Sequence, residues 1–160
     1  VAVFLTYIGV LGAANQGVLV GRLERAFGAT RLAVVGGVSL AVALALLPFA
    51  PAVGSLAAVG GPAWLTGPVV VLGLVGALLS FGNGSLTVSL STLVSSRATD
   101  ETQGTAFGVT QGAGSLGRTV GPPAAAAAYV LAFWSPFVLG AVLVVPILWL
   151  LTRPVRADGH

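Results

Sequence analysis

Five long apolar runs, near residues 1–21, 32–50, 66–95, 103–128 and 134–152, alternate with short polar gaps. A helix needs about 20 predominantly apolar residues to cross a hydrocarbon core of roughly 30 Å, so each run reads as a membrane span. The third run is long for a simple crossing, and tilt or helical extension around Ser95 and Ser96 absorbs the excess. The expected fold is all-α: a polytopic helical membrane protein with a transmembrane domain over 1–152 and a short tail over 153–160.

Charge in the gaps turns these spans into a topology. Residues 22–31 carry Arg22, Glu24, Arg25 and Arg31, residues 96–102 carry Arg97, Asp100 and Glu101, and the tail carries Arg153, Arg156, Asp158 and His160. The intervening gaps, 51–65 and 129–133, hold no charge. Arginine in short loops is retained on the cytoplasmic side. An integral protein of the cytoplasmic membrane is expected, with Val1 outside and the C-terminus cytoplasmic. Trp64, Tyr129, Trp134 and Trp149 fall near span ends, where aromatic anchors belong.

Composition narrows the function. With 56% hydrophobic and 7% charged residues, the chain has too little polar surface for a soluble domain, and its natural partner is the lipid bilayer. The net charge of +3 does not argue for nucleic acid, because the arginines form short clusters beside the spans and lysine is absent. Absence of cysteine excludes disulfides, thiolate metal sites and a cysteine nucleophile. The one histidine is His160 in the tail, and no acid lies at membrane depth, so neither a Ser–His pair nor a metal site can be assembled within the spans. A phosphate-binding Gly-rich loop needs a lysine that the chain lacks. No enzyme activity, metal or cofactor is expected. The opening run has neither the basic start nor the small-residue cleavage site of a signal peptide. With no methionine anywhere in the chain, the expectation is that it is a fragment and residue 1 an internal position of a longer protein.

Polar and small residues inside the spans are the candidate chemistry. The first run carries Gly9, Gly12, Gly17 and Gly21, with Asn15 and Gln16 near its inner half. The third has Asn83, Thr87 and Ser91 at steps of four, and Ser85, Ser89, Thr92 and Ser96 along a second stripe; together they read as one broad polar face. The fourth has Gly104, Gly108 and Gly112, then Gly114, Gly117 and Gly121, with Thr110, Gln111 and Ser115. Small residues let helices approach closely, so the Gly ladders read first as packing surfaces. For the polar face, packing and a water-lined pathway weigh equally, with the amides of Asn15, Gln16, Asn83 and Gln111 the better pathway candidates. Arg118 is the one charge inside a span, about 22 Å from the inner end of its helix. It pairs either with a carbonyl, water, substrate anion or acid from elsewhere, or snorkels to an outer interface a turn or two away. Gly121, Pro122 and Pro123 follow it and admit a kink, and Pro146 admits a bend in the last span.

These features together resemble the C-terminal part of a major facilitator superfamily transporter, in the twelve-helix drug–proton antiporter and tetracycline-efflux-like branch. Gly21-Arg22-Leu23-Glu24-Arg25-Ala26-Phe27-Gly28, followed by Arg31, resembles the second copy of that family's loop signature, between helices 8 and 9. Gln103-Gly104 after Asp100 and Glu101 resembles the opening of helix 11, Leu116-Gly117-Arg118 and Gly121-Pro122 its outer half, and Pro136-Phe137 the start of helix 12. Arg25 stands where the stronger first-half signature has an Asp, so the family's gating-loop salt bridge is not carried over to it. The resemblance implies helices 8 to 12 of two six-helix halves, with substrate bound near the midplane between them. It also implies that helix 7 and the first half, where such antiporters usually keep their proton-coupling carboxylates, are partners outside this chain.

The leading expectation is a secondary transporter that exports a small, partly apolar solute by alternating access. Asn15, Gln16, Asn83, Thr87, Gln111 and Arg118 would line its pathway. Gly108, Gly112, Gly117, Gly121 and Pro122 would supply packing and hinge. The alternative is a non-transporting membrane subunit or vestigial gene product whose Gly ladders serve helix–helix assembly alone.

Overall fold

The computed structural model describes residues 6, 7, 9, 10, 12, 19–56 and 66–153, and among these every regular element is helical. The fold is all-α. Helix α1 spans Val20–Phe27 and α2 spans Ala29–Leu46. A single 3-10 turn, Leu47–Phe49, carries α2 into the short α3, Ala50–Ser55. Then follow α4 (Gly67–Arg97), α5 (Gln103–Leu131) and α6 (Ser135–Thr152). Prolines at the starts of the 3-10 turn, α3, α4 and α6 sit where a missing amide donor leaves no helical bond unmade.

Two gaps turn out to be largely helical. The segment 22–31 is broken only at Gly28, whose φ of 81° is a left-handed conformation that an L side chain adopts at a cost. Arg, Leu, Glu and Ala around it are good helix formers, which is why charge alone does not make a loop here. The second run extends on both sides of 32–50, so that Ala29–Ser55 acts as one 27-residue helical rod. The long third helix continues through Ser95 and Ser96 to Arg97, as its length predicts. The fourth continues to Leu131 because alanine, the best helix former, fills 124–128.

Of the five predicted spans, Ala29–Ser55, Gly67–Arg97 and Ser135–Thr152 are long and apolar enough to cross a membrane. Helix α5 is as long, but glycine, threonine, Gln111 and Arg118 dilute its apolar character. Most of the first run, including Asn15, Gln16 and Gly17, lies outside the described residues, as do Trp64, Arg156, Asp158 and His160.

Helix α2 is the centre of the packing. It runs antiparallel to α4, with Gly36 against Ser85 and Gly82 against Leu40. A Cβ on Gly82 would stand 2.5 Å from the Leu40 nitrogen and 2.7 Å from the Gly36 oxygen, so the two backbones touch where these glycines cross. Helix α6 lies antiparallel on another side of α2, with Gly37 against Leu148 and Val144, and Gly140 against Leu44. Beyond the α2–α4 crossing, Ala43, Ala50 and Val75 form a small buried cluster capped by Leu47, Leu72 and Leu79. Outside these seams the surface is apolar: Val35, Val38, Val42, Leu74, Val142, Leu143 and Leu150 are all exposed. Patches of this kind on a monomer mark contact with lipid or with other protein.

Charge separates along the bundle. Arg31 lines a cavity with Leu151 and Thr152, and Arg97 lines a second cavity with Leu151, which gathers the arginine-bearing ends together. Arg153 stacks on Trp149 there, its guanidinium carbon 3.3 Å from the ring centroid. At the opposite, uncharged end Phe49 meets Phe133 edge to face, with centroids 6.4 Å apart.

Leucine at Gly82 must push the two backbones apart. Gly82→Leu is expected to destabilise the fold by about 1–3 kcal/mol or more, read by denaturant titration in detergent micelles. Gly108→Leu, at a position with open space around it, should leave the midpoint unchanged or slightly raised.

Candidate functional site

Helix α5 is the most loosely held long element, and none of its residues is buried. Its threonines are satisfied locally: the hydroxyls of Thr110 and Thr119 donate to the carbonyls of Ala106 and Ser115 at 2.8 and 3.0 Å. The amide of Gln111 and the guanidinium of Arg118 make no hydrogen bond or ion pair among the described residues. Seven residues apart, they share one face of the helix with Gly104 and Ser115. Side chains added at Gly104, Gly108, Gly112, Gly117 or Gly121 would meet nothing within 4 Å. Helical structure runs without interruption through Pro122 and Pro123.

Arg118 is further from the helix end than the sequence suggests. With α5 reaching Leu131, it stands 15 residues from one end and 13 from the other, about 22 and 20 Å at the helical rise.

The polar residues of α4 divide into two environments. Asn83, Thr87 and Ser91 are exposed, and the hydroxyls of Thr87 and Ser91 donate to the carbonyls of Asn83 and Thr87 at 2.8 and 3.0 Å. Ser85 and Ser89 are fully buried, with Ser85 packed against Gly36 and both hydroxyls lacking a partner among the described residues. The expected single broad face is therefore two faces: a step of two residues turns a helix by about 200°, which sends Asn83 and Ser85 to opposite sides. Thr87 and Asn83 form one pair and Gln111 and Arg118 another, and no hydrogen bond joins the pairs among the described residues. What joins α4 to α5 is Gln103, whose Nε2 donates to Ser95 Oγ at 3.1 Å. Asn15 and Gln16 lie outside the described residues, but Tyr7 donates to the Gly73 carbonyl at 3.4 Å and Gly12 faces Ser80. The partner numbers rise together, so this part of the first run lies parallel to α4.

In the loop motif, Arg25 Nε donates back to the Gly21 carbonyl at 3.0 Å, and the Gly28 amide donates to the Glu24 carbonyl at 2.8 Å. Arg31 opens onto a cavity of about 690 Å³ and makes no hydrogen bond among the described residues. Gly36, Gly37 and Gly82 were not singled out in the sequence, because none belongs to a ladder. Their signal is only a small residue in an apolar helix.

Comparison with protein-family models, with curated proteins and with solved structures finds no match to this chain.

The two buried serines carry an unmade hydrogen bond in a tight seam, so removing the hydroxyl relieves a desolvation cost. Ser85→Ala and Ser89→Ala are each expected to leave stability unchanged or raise it by about 1 kcal/mol. A denaturation midpoint that falls on either substitution would show the hydroxyl to be partnered.

Proposed function

We propose that the chain is the C-terminal part of a secondary transporter of the major facilitator type, exporting a small, partly apolar solute across the cytoplasmic membrane by alternating access. The observation that carries this reading is the open face of α5, with an unpaired arginine near its middle. Ionisable residues at membrane depth face a bundle interior or a water-filled cavity, where they find a counter-charge. Glycines beside Arg118 let another helix approach closely or slide past. A face with both properties suits the surface on which the opposing half of a transporter closes, with Arg118 meeting a substrate anion or an acid from that half. Gln111 shares this face, while Asn83 and Thr87 extend polar surface on α4. Proton coupling, on this reading, resides in carboxylates of the first half.

The arginine-rich end of the bundle would face the cytoplasm by the charge rule for short loops. The cysteine-free chain suits a direct check. Ser96→Cys should react with a membrane-impermeant maleimide only after the cytoplasmic face is opened, and Leu131→Cys should react in intact cells. The reverse pattern would invert the topology.

Transport is tested with the complete polypeptide that carries these residues, in cells stripped of their own efflux pumps. Wild type should lower accumulation of ethidium or tetracycline, and Arg118→Ala should restore it to the empty-vector level at unchanged membrane abundance. Bare glycine along α5 also favours an assembly subunit. In that case neither probe responds, Arg118→Ala is silent, and Gly112→Leu lowers membrane abundance instead.

A further inference from the structure

The cavity at the arginine-bearing end lies away from the open face of α5. Its walls come from α1, α2, α4 and α6, and they are almost wholly apolar, with Phe27, Val34, Phe81 and Leu151 among them. Its polar groups include Thr30 and Arg31, both exposed in the first turn of α2. The arginines nearby differ in availability. Arg25 is bonded to the Gly21 carbonyl and Arg153 is stacked on Trp149, whereas Arg31 has no hydrogen bond or ion pair among the described residues. The mouth is thus cationic and the depth is hydrocarbon-like. On α2 the lining runs from Thr30 to Val35, so the groove extends at least about 6 Å along the helix from Arg31 toward the middle of the bundle, with Phe81 of α4 in its wall.

We propose that this groove is a binding site for one anionic phospholipid, its phosphate on Arg31 and Thr30 and an acyl chain laid along Val34 and Phe81. Charge complementarity selects this occupant. A transported solute needs no hydrocarbon slot opening at the end of the bundle, and a neutral helix leaves the Arg31 guanidinium, with its five donors, unmatched. Basic pockets between membrane helices on the cytoplasmic side take anionic headgroups in this way. The site rests on the membrane reading, not on the transport reading, and makes the inner leaflet a ligand of the junction between α1 and α2. Bound lipid would fix the orientation of the amphipathic α1 against the bundle across the Gly28 break.

Two measurements separate failure of the site from failure of the membrane reading. Carbonate extraction of membranes holding the complete polypeptide comes first, and the protein is expected to stay in the pellet. Release into the supernatant overturns both the membrane reading and the lipid site. Native mass spectrometry then follows lipid retention after equilibration with equimolar dioleoyl phosphatidylglycerol and dioleoyl phosphatidylcholine. Wild type should retain the anionic lipid roughly fivefold over the zwitterionic one, the preference that a single arginine near the headgroup supplies. Arg31→Gln should bring the two to parity, Arg31→Lys should keep the preference, and Val35→Trp, which fills the groove, should remove both. Arg97→Gln, at the second cavity, should change nothing. Equal retention by wild type, or a preference that survives Arg31→Gln, overturns the proposal. Displacement by excess inorganic phosphate overturns it too, as the mark of a simple anion site.

Discussion

The crossing of α2 over α4 at Gly36 and Gly82 is the contact on which the rest of the bundle depends. Between apolar helices in lipid there is no hydrophobic gain from association, and close packing of small residues takes its place. Here the Gly36 carbonyl and the Gly82 backbone approach so closely that a methyl group on either would collide. Ser85 and Ser89 prolong the same narrow seam, accepting buried hydroxyls without partners in return for small volume. Gly37, the next residue on α2, admits Leu148 of α6 on another side. One pair of adjacent glycines therefore sets the spacing of three helices.

Because α2 takes both close seams, α5 is left at the edge. It is held at its ends, by Gln103 on Ser95 at one and by the Ser135 hydroxyl on the Ala128 and Ala132 carbonyls at the other. Between those fastenings lie the unfilled glycines, Gln111, Arg118 and the two prolines. A helix fixed at two points and bare along its middle is suited to receive another surface. The same arrangement explains why the candidate chemistry gathers on the element that contributes least to the core.

Much of this was legible in the sequence, but unevenly. Length and apolar content located the long helices, and Phe49 meets Phe133 at the end opposite the arginines. Boundaries were less legible, since polar residues such as Arg22 and Glu24 continue a helix as readily as they end one. Only Gly28, with its positive φ, breaks it. The glycines show where spacing stops being informative. The regular ladder at Gly104, Gly108 and Gly112 has nothing within 4 Å among the described residues, whereas Gly36 and Gly82, outside any such ladder, carry the close α2–α4 crossing. Spacing within one helix records which residues share a face; it holds no information on which face a neighbour covers. The stripes of α4 were confused for a related reason, since residues two apart look adjacent in a string and are opposed on a helix.

Arg118 and the low hydropathy of α5 are two expressions of one constraint. Placing an arginine at the centre of a lipid-facing helix costs at least about 2.5 kcal/mol, and a helix already diluted by glycine and glutamine has little apolar surface to offset that. The cost falls away if that face meets water or protein instead of lipid. A covered or hydrated α5 escapes that cost, and a covered one needs a second surface with a counter-charge at the height of Arg118. That requirement is the physical content of the transporter reading, and it is what the opposing half of such a protein, or its substrate, would have to satisfy.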